Sequence, residues 1–298
     1  MTASRTVALT VVAMLAFAAN SLLCRLALQQ AAIDPASFGS VRLVSGALVL
    51  AAIVRLRAGP PAAARTDWLA AVMLWAYVAC FSFAYLTLAA GTGALILFGA
   101  VQLTMFSVGL YAGERFTAAA WCGLVLALAG LLYLVSPGIA APPPLGAALM
   151  ASAGIAWGIY SLRGRGAGDA VAATAGNFLR AAPLALALSV VFAGAFQVSA
   201  TGVALAVASG AVTSGLGYVV WYAALPGLSA LRAATVQLSV PPLAALGGAL
   251  LLAEALSLRL LLSSAAILGG IALVLLSRGV SGRSMAHAPA SPPARSPD

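Results

Sequence analysis

The carboxylates, imidazoles and thiols available for chemistry are few: six acids, one histidine and three cysteines in 298 residues. His287 lies in a Ser/Pro/Ala/Arg-rich end segment, so a serine–histidine–acid relay has no base within reach of a nucleophile. Cys24, Cys80 and Cys122 stand singly, without the paired spacing of a metal or redox site, and read as small buried hydrophobes. Gly166-Ala167-Gly168-Asp169 has the GxGD form used by intramembrane aspartyl proteases, but that chemistry shares a proton between two aspartates. Asp34, Asp67 and Asp298 fall in loops or the end segment, so Asp169 reads as a helix N-cap. Lysine is absent, which removes the P-loop type of phosphate cradle. Neither an enzyme, a cofactor nor a metal centre is expected.

The residues suited to binding sit inside apolar runs. Asn20, Gln102 and Gln237 are amides at membrane depth, where a polar group must find a partner or a water-filled cavity. Trp75, Tyr77, Phe81, Phe98, Trp157, Tyr160, Tyr218 and Trp221 also count to mid-span. Such rings offer a solute flat apolar surface with an occasional hydroxyl or indole donor, although helix packing explains any one of them equally well. Arg42 and Arg180 lie two to three turns inside their helices. A structural role comes first, bonding to neighbouring helix ends or snorkelling to the interface; attraction of a substrate carboxylate is the alternative. Gly215 and Gly217 weaken one run and Pro241-Pro242 break another, as gates or hinges would. Glu114 and Glu254 stand at run ends as structural charges, expected to pair with Arg115, Arg259 or helix termini.

The elements that must position these residues are membrane helices. Hydrophobic residues make up 63% of the chain and charged ones 7%, against roughly 25% charged in a soluble domain. The arginines are spread thinly, so no nucleic-acid footprint forms. Continuous apolar runs argue for helices over a β-barrel. Ten are expected, at 7–27, 35–53, 68–88, 92–111, 117–135, 145–162, 171–192, 202–224, 230–252 and 258–277. Ala16-Phe17-Ala18 resembles a signal-peptide cleavage site, but the apolar run continues past it, so the first run reads as a spanning helix. With the N-terminus inside, Arg5, Arg55, Arg57, Arg65, Arg115, Arg163, Arg165, Arg278, Arg283 and Arg295 are cytoplasmic, with only Arg25 and Arg259 opposite. This count places both termini in the cytoplasm of a cell inner membrane.

The two halves match. Glu114 and Glu254 each follow a fourth run of a half, Val101-Gln102-Leu103-Thr104 recurs as Val236-Gln237-Leu238-Ser239, and Arg42 matches Arg180. Five helices per unit is odd, so the second copy enters from the opposite side, an inverted-topology repeat. The expected layout is one membrane transport domain over 1–277, with repeats at about 6–135 and 145–277, and a disordered cytoplasmic tail over 278–298.

Phe38-Gly39-Ser40-Val41-Arg42, Gly113-Glu114-Arg115 and Ala253-Glu254, in this order, resemble the drug/metabolite transporter superfamily, EamA type, over about residues 6–277. Within it the chain is most similar to ten-helix amino-acid exporters, including those of aromatic amino acids. One departure is that Gln102-Leu103-Thr104 stands where the family often has a proline in the fourth helix. The resemblance implies an all-α transporter working by alternating access on a small solute in a lipid bilayer, with amino acids favoured and a monomer expected. Drug, nucleobase and nucleotide-sugar carriers share that scaffold; a membrane-embedded enzyme is the remote alternative.

Overall fold

A computed structural model describes residues 2–57, 67–113, 116–138, 141–164, 168–228, 233 and 236–284. The first five helices are α1 (Ala3–Gln29), α2 (Pro35–Leu56), α3 (Trp68–Ala84), α4 (Ala90–Tyr111) and α5 (Ala118–Val135). The second five are α6 (Pro144–Arg163), α7 (Ala170–Val191), α8, α9 (Val240–Leu252) and α10 (Leu258–Ser284). α8 runs from Ala200–Val207 through a π-helical stretch, Ala208–Leu216, to Gly217–Ala224. Eight of these helices are long and apolar enough to cross a membrane, and α3 and α9 are shorter apolar helices. The described residues therefore form an all-helical, multi-pass membrane protein, with ten helices in two five-helix halves.

Polar residues at the breaks start the helices. The side chains of Asp34, Asp67, Thr117, Asp169 and Ser199 each accept a hydrogen bond from a backbone N–H in the first turn of α2, α3, α5, α7 and α8. Asp169 thus takes the capping role expected for it.

Three elements differ from the sequence expectation. α3 stops at Ala84 rather than 88, because the Arg25 guanidinium takes the carbonyls of Tyr85 and Leu86 at 3.0 and 3.2 Å. The ninth run is interrupted where the proline pair is expected to break it: Val236 and Gln237 are helical, Leu238 and Ser239 turn, and α9 begins at Val240 with Pro241 and Pro242 in its first turn, where the missing N–H groups cost nothing; residues 230–232 and 234–235 of the expected run lie outside the described residues. α10 continues to Ser284, past the start of the expected tail, since helix propagates at little cost once formed.

The halves are interleaved rather than side by side. α2 packs on α7, α3 on α6, α5 on α10, and α4 on both α6 and α9. Small residues permit the closest approaches. A Cβ added at Gly91 would lie 2.6 Å from Ala245 Cβ, and one at Gly210 would collide with the Arg42 carbonyl. Large apolar side chains such as Val7, Val11, Leu128 and Leu132 point outward, as they must in lipid.

Helix ends gather at two faces. At one, Arg57 meets Asp169 at 3.5 Å and Arg163 meets Asp67 at 2.7 Å. Partial burial works against the Asp67 charge, but the Arg163 hydrogen bond and the Ala70 N–H outweigh it and hold its carboxyl below the ordinary carboxylate range. At the other face, the Asp34 N–H donates to the Gln197 carbonyl and the Asp34 carboxylate accepts from the Gln197 N–H, and Arg259 donates to the carbonyls of Leu134 and Ser136.

Candidate functional site

Between the halves lies a small cavity, with about 30 Å³ of water-accessible space. From the first half, α1 contributes Phe17, Asn20 and Ser21, α3 contributes Tyr77 and Phe81, and α4 contributes Leu97 and Phe98. From the second, α6 contributes Trp157, α8 contributes Thr213, Ser214 and Tyr218, and Gln237 precedes α9. The first and third helices of each half line it, joined by α4 and by the segment just before α9, so the two halves supply largely equivalent elements.

One wall is a chain of rings. Phe81 and Tyr77 have centroids 5.3 Å apart, Tyr77 and Trp157 4.9 Å, Trp157 and Tyr218 5.5 Å, and Tyr218 and Phe17 5.9 Å. The hydroxyl network lies against it. Asn20 Nδ2 donates to Tyr77 Oη at 3.4 Å, and Asn20 Oδ1 accepts from Ser209 Oγ at 2.6 Å and Thr213 Oγ1 at 3.2 Å. Arg42 is 1% exposed. Its Nε donates to Ser214 Oγ at 3.2 Å and its Nη2 to Tyr77 Oη at 3.1 Å, with Cζ 5.1 and 5.0 Å from the Tyr77 and Phe81 ring centres.

The π-helical stretch is what brings Thr213 and Ser214 here. Its wider turn offsets the i, i+4 phase, and Gly210 lets it press against α2 at Arg42.

Of the binding residues expected from sequence, Asn20, Tyr77, Phe81, Phe98, Trp157, Tyr218 and Gln237 line the cavity. Tyr160 stands behind Trp157 at 5.3 Å, Trp221 packs on Phe17 at 6.0 Å, and Trp75 is part-buried against the core. Gln102 is half-buried and is not among the lining residues, unlike its repeat counterpart Gln237. Gly215 falls in the π-helical stretch and Gly217 directly after it.

Arg42 does not snorkel but is fully enclosed, whereas Arg180 is half-buried with its guanidinium folded over Gly176 on its own helix. Glu114 lies outside the described residues. Glu254 pairs with Arg25 at 2.9 Å rather than with Arg259, and also caps the start of α4 by accepting from Ala90 N at 2.8 Å. Sequence reading missed Phe17, Ser21, Leu97, Thr213 and Ser214. Phe17 and Ser21 were findable as the i−3 and i+1 neighbours of Asn20, whereas the offset that admits Thr213 and Ser214 left no signal.

Residues 144–276, the second five-helix half, match the EamA-like transporter family. Uncharacterized protein PA1977 of Pseudomonas aeruginosa is 57% identical over 274 residues, covering 92% of this chain and 96% of that protein. The chain belongs to the EamA-like transporter family. A crystal structure at 20% identity, covering 93% of this chain and 99% of its own, superposes with a TM-score of 0.65 and shows the same fold. This EamA-like protein is thus a membrane transporter of the drug/metabolite type, and the family match divides the chain at the boundary between its halves.

Proposed function

We infer that this EamA-like protein exports small amphipathic solutes, neutral and aromatic amino acids first among them, by alternating access across a cell inner membrane. The observation that carries the reading is the cavity itself: apolar rings on one side, hydroxyls and amides on the other, contributed by equivalent helices of both halves. A site shared by two inverted halves is exposed to one face or the other when the halves rock. The arginine count supports a cytoplasmic location for the face of Arg57 and Arg163, and for both termini.

The test is a counterflow screen in proteoliposomes against all twenty amino acids, a nucleobase and a hydrophobic drug. Exchange of phenylalanine or another neutral amino acid is the expected result. Movement of the nucleobase or drug alone would overturn the substrate assignment while leaving the transport mode intact.

A further inference from the structure

Arg42 carries a charge that the described protein does not balance. Its side chain is enclosed, and its Nη1 has no hydrogen-bond partner among the described residues. The described acids are all engaged elsewhere. Asp34 accepts from Ser37 and Gln197 backbone N–H groups, Asp67 holds Arg163, Asp169 holds Arg57, and Glu254 holds Arg25. Glu114 and Asp298 lie outside the described residues. An enclosed cation without a counter-ion is costly unless something else supplies the negative charge.

The hydrogen-bond directions say where that charge goes. Tyr77 Oη accepts from Arg42 Nη2 and Asn20 Nδ2, and Ser214 Oγ accepts from Arg42 Nε. A hydroxyl that accepts from a guanidinium has its own proton free to donate. Tyr77 and Ser214 both line the cavity. Arg42 therefore turns two wall hydroxyls into polarised O–H donors, a pattern that suits an anion. Among the described residues no carboxylate lines the cavity to receive an ammonium group, and Asn20 Oδ1 already accepts twice.

We propose that Arg42, acting through the hydroxyls of Tyr77 and Ser214, supplies the positive charge of an anion site in the cavity, and that the solute is an apolar or aromatic molecule bearing a carboxylate, its amine dispensable. The proposal rests on the cavity being the transport site. It departs from the structural role that the repetition of Arg42 and Arg180 suggests, because the two arginines occupy unlike surroundings.

The test uses the full chain in nanodiscs and four probes sharing one benzyl group: phenylpropionate, phenylpropanamide, L-phenylalanine and L-phenylalaninamide. Calorimetric titration is expected to show each acid binding about 10- to 100-fold more tightly than its amide, with phenylpropionate at least equal to phenylalanine. Arg42→Met should abolish the preference for acids and leave the melting temperature equal or higher, because it removes an unbalanced charge. Arg42→Lys should keep the preference at reduced affinity.

Equal binding of acids and amides by the wild type would overturn the proposal and leave the cavity reading standing. So would a sharp fall in melting temperature in Arg42→Met that Arg42→Lys restores, with acid preference unaltered. Failure of all four probes to bind would overturn the cavity reading for aromatic solutes, and this proposal with it.

Discussion

Tyr77 is where the polar and aromatic parts of the cavity meet, since one side chain accepts from Arg42 and Asn20 and stacks near Trp157. Tyr77→Phe leaves two buried donors without an acceptor. It is expected to cost roughly 1–3 kcal/mol of stability, read as a fall in melting temperature in nanodiscs. Trp157→Ala keeps the polar network but removes the central ring of the wall. The affinity for an aromatic solute should fall about three- to tenfold with little change for an aliphatic one of equal charge, measured by titration. At this scale much of the site was legible, because an amide or a ring at the centre of an apolar run stands out by type. Ser214 did not stand out. A serine bonding back to its own helix and a serine facing a cavity have the same sequence signature, and a local change of helix type decided between them.

Helix ends carry the next set of constraints. Asp67 both caps α3 and holds Arg163 at the end of α6. Asp67→Asn keeps the cap and loses the ion pair, so at neutral pH it should cost under about 1 kcal/mol, whereas Asp67→Ala also loses the cap, worth about 1 kcal/mol. The carboxyl is held low in the folded protein, so its contribution is complete above the unfolded value of about 4 and disappears as pH falls through the lower folded value. Thermal melts of the wild type and Asp67→Asn should therefore converge only in acid. At the opposite face, Arg25 and Glu254 join the ends of α1, α3, α4 and α9 in one cluster with side chains 15% and 11% exposed. Glu254→Gln should loosen this closure. The check is Cys24, now enclosed beside Arg25, whose labelling by an impermeant maleimide should accelerate several-fold. Sequence spacing located eight of the ten helices to within four residues at each end, because an apolar run bounded by caps and prolines has few other conformations in lipid. It missed the early end of α3, which depends on a guanidinium from another helix.

At the scale of the whole molecule, no carboxylate among the described residues lines the cavity, and the described acids sit at helix ends. Proton-coupled carriers place a titrating group on the path. An imposed pH gradient across proteoliposomes is therefore expected to give no accumulation of solute beyond equilibration. Accumulation that Glu254→Gln abolishes would reverse this expectation. The two-half design was legible because Glu254 and Gln237 repeat Glu114 and Gln102 in order. The interleaving was not, since a repeat in sequence does not say which copy each helix packs against. That interleaving bears on how the protein is made. α2 packs on α7, α3 on α6 and α5 on α10, so the early helices leave the ribosome before their partners exist. At ordinary synthesis rates α5 waits on the order of ten seconds for α10. During that interval the first five helices hold their glycine faces and Arg42 against lipid or an insertion chaperone, and the cavity comes into being only as the last helices thread home.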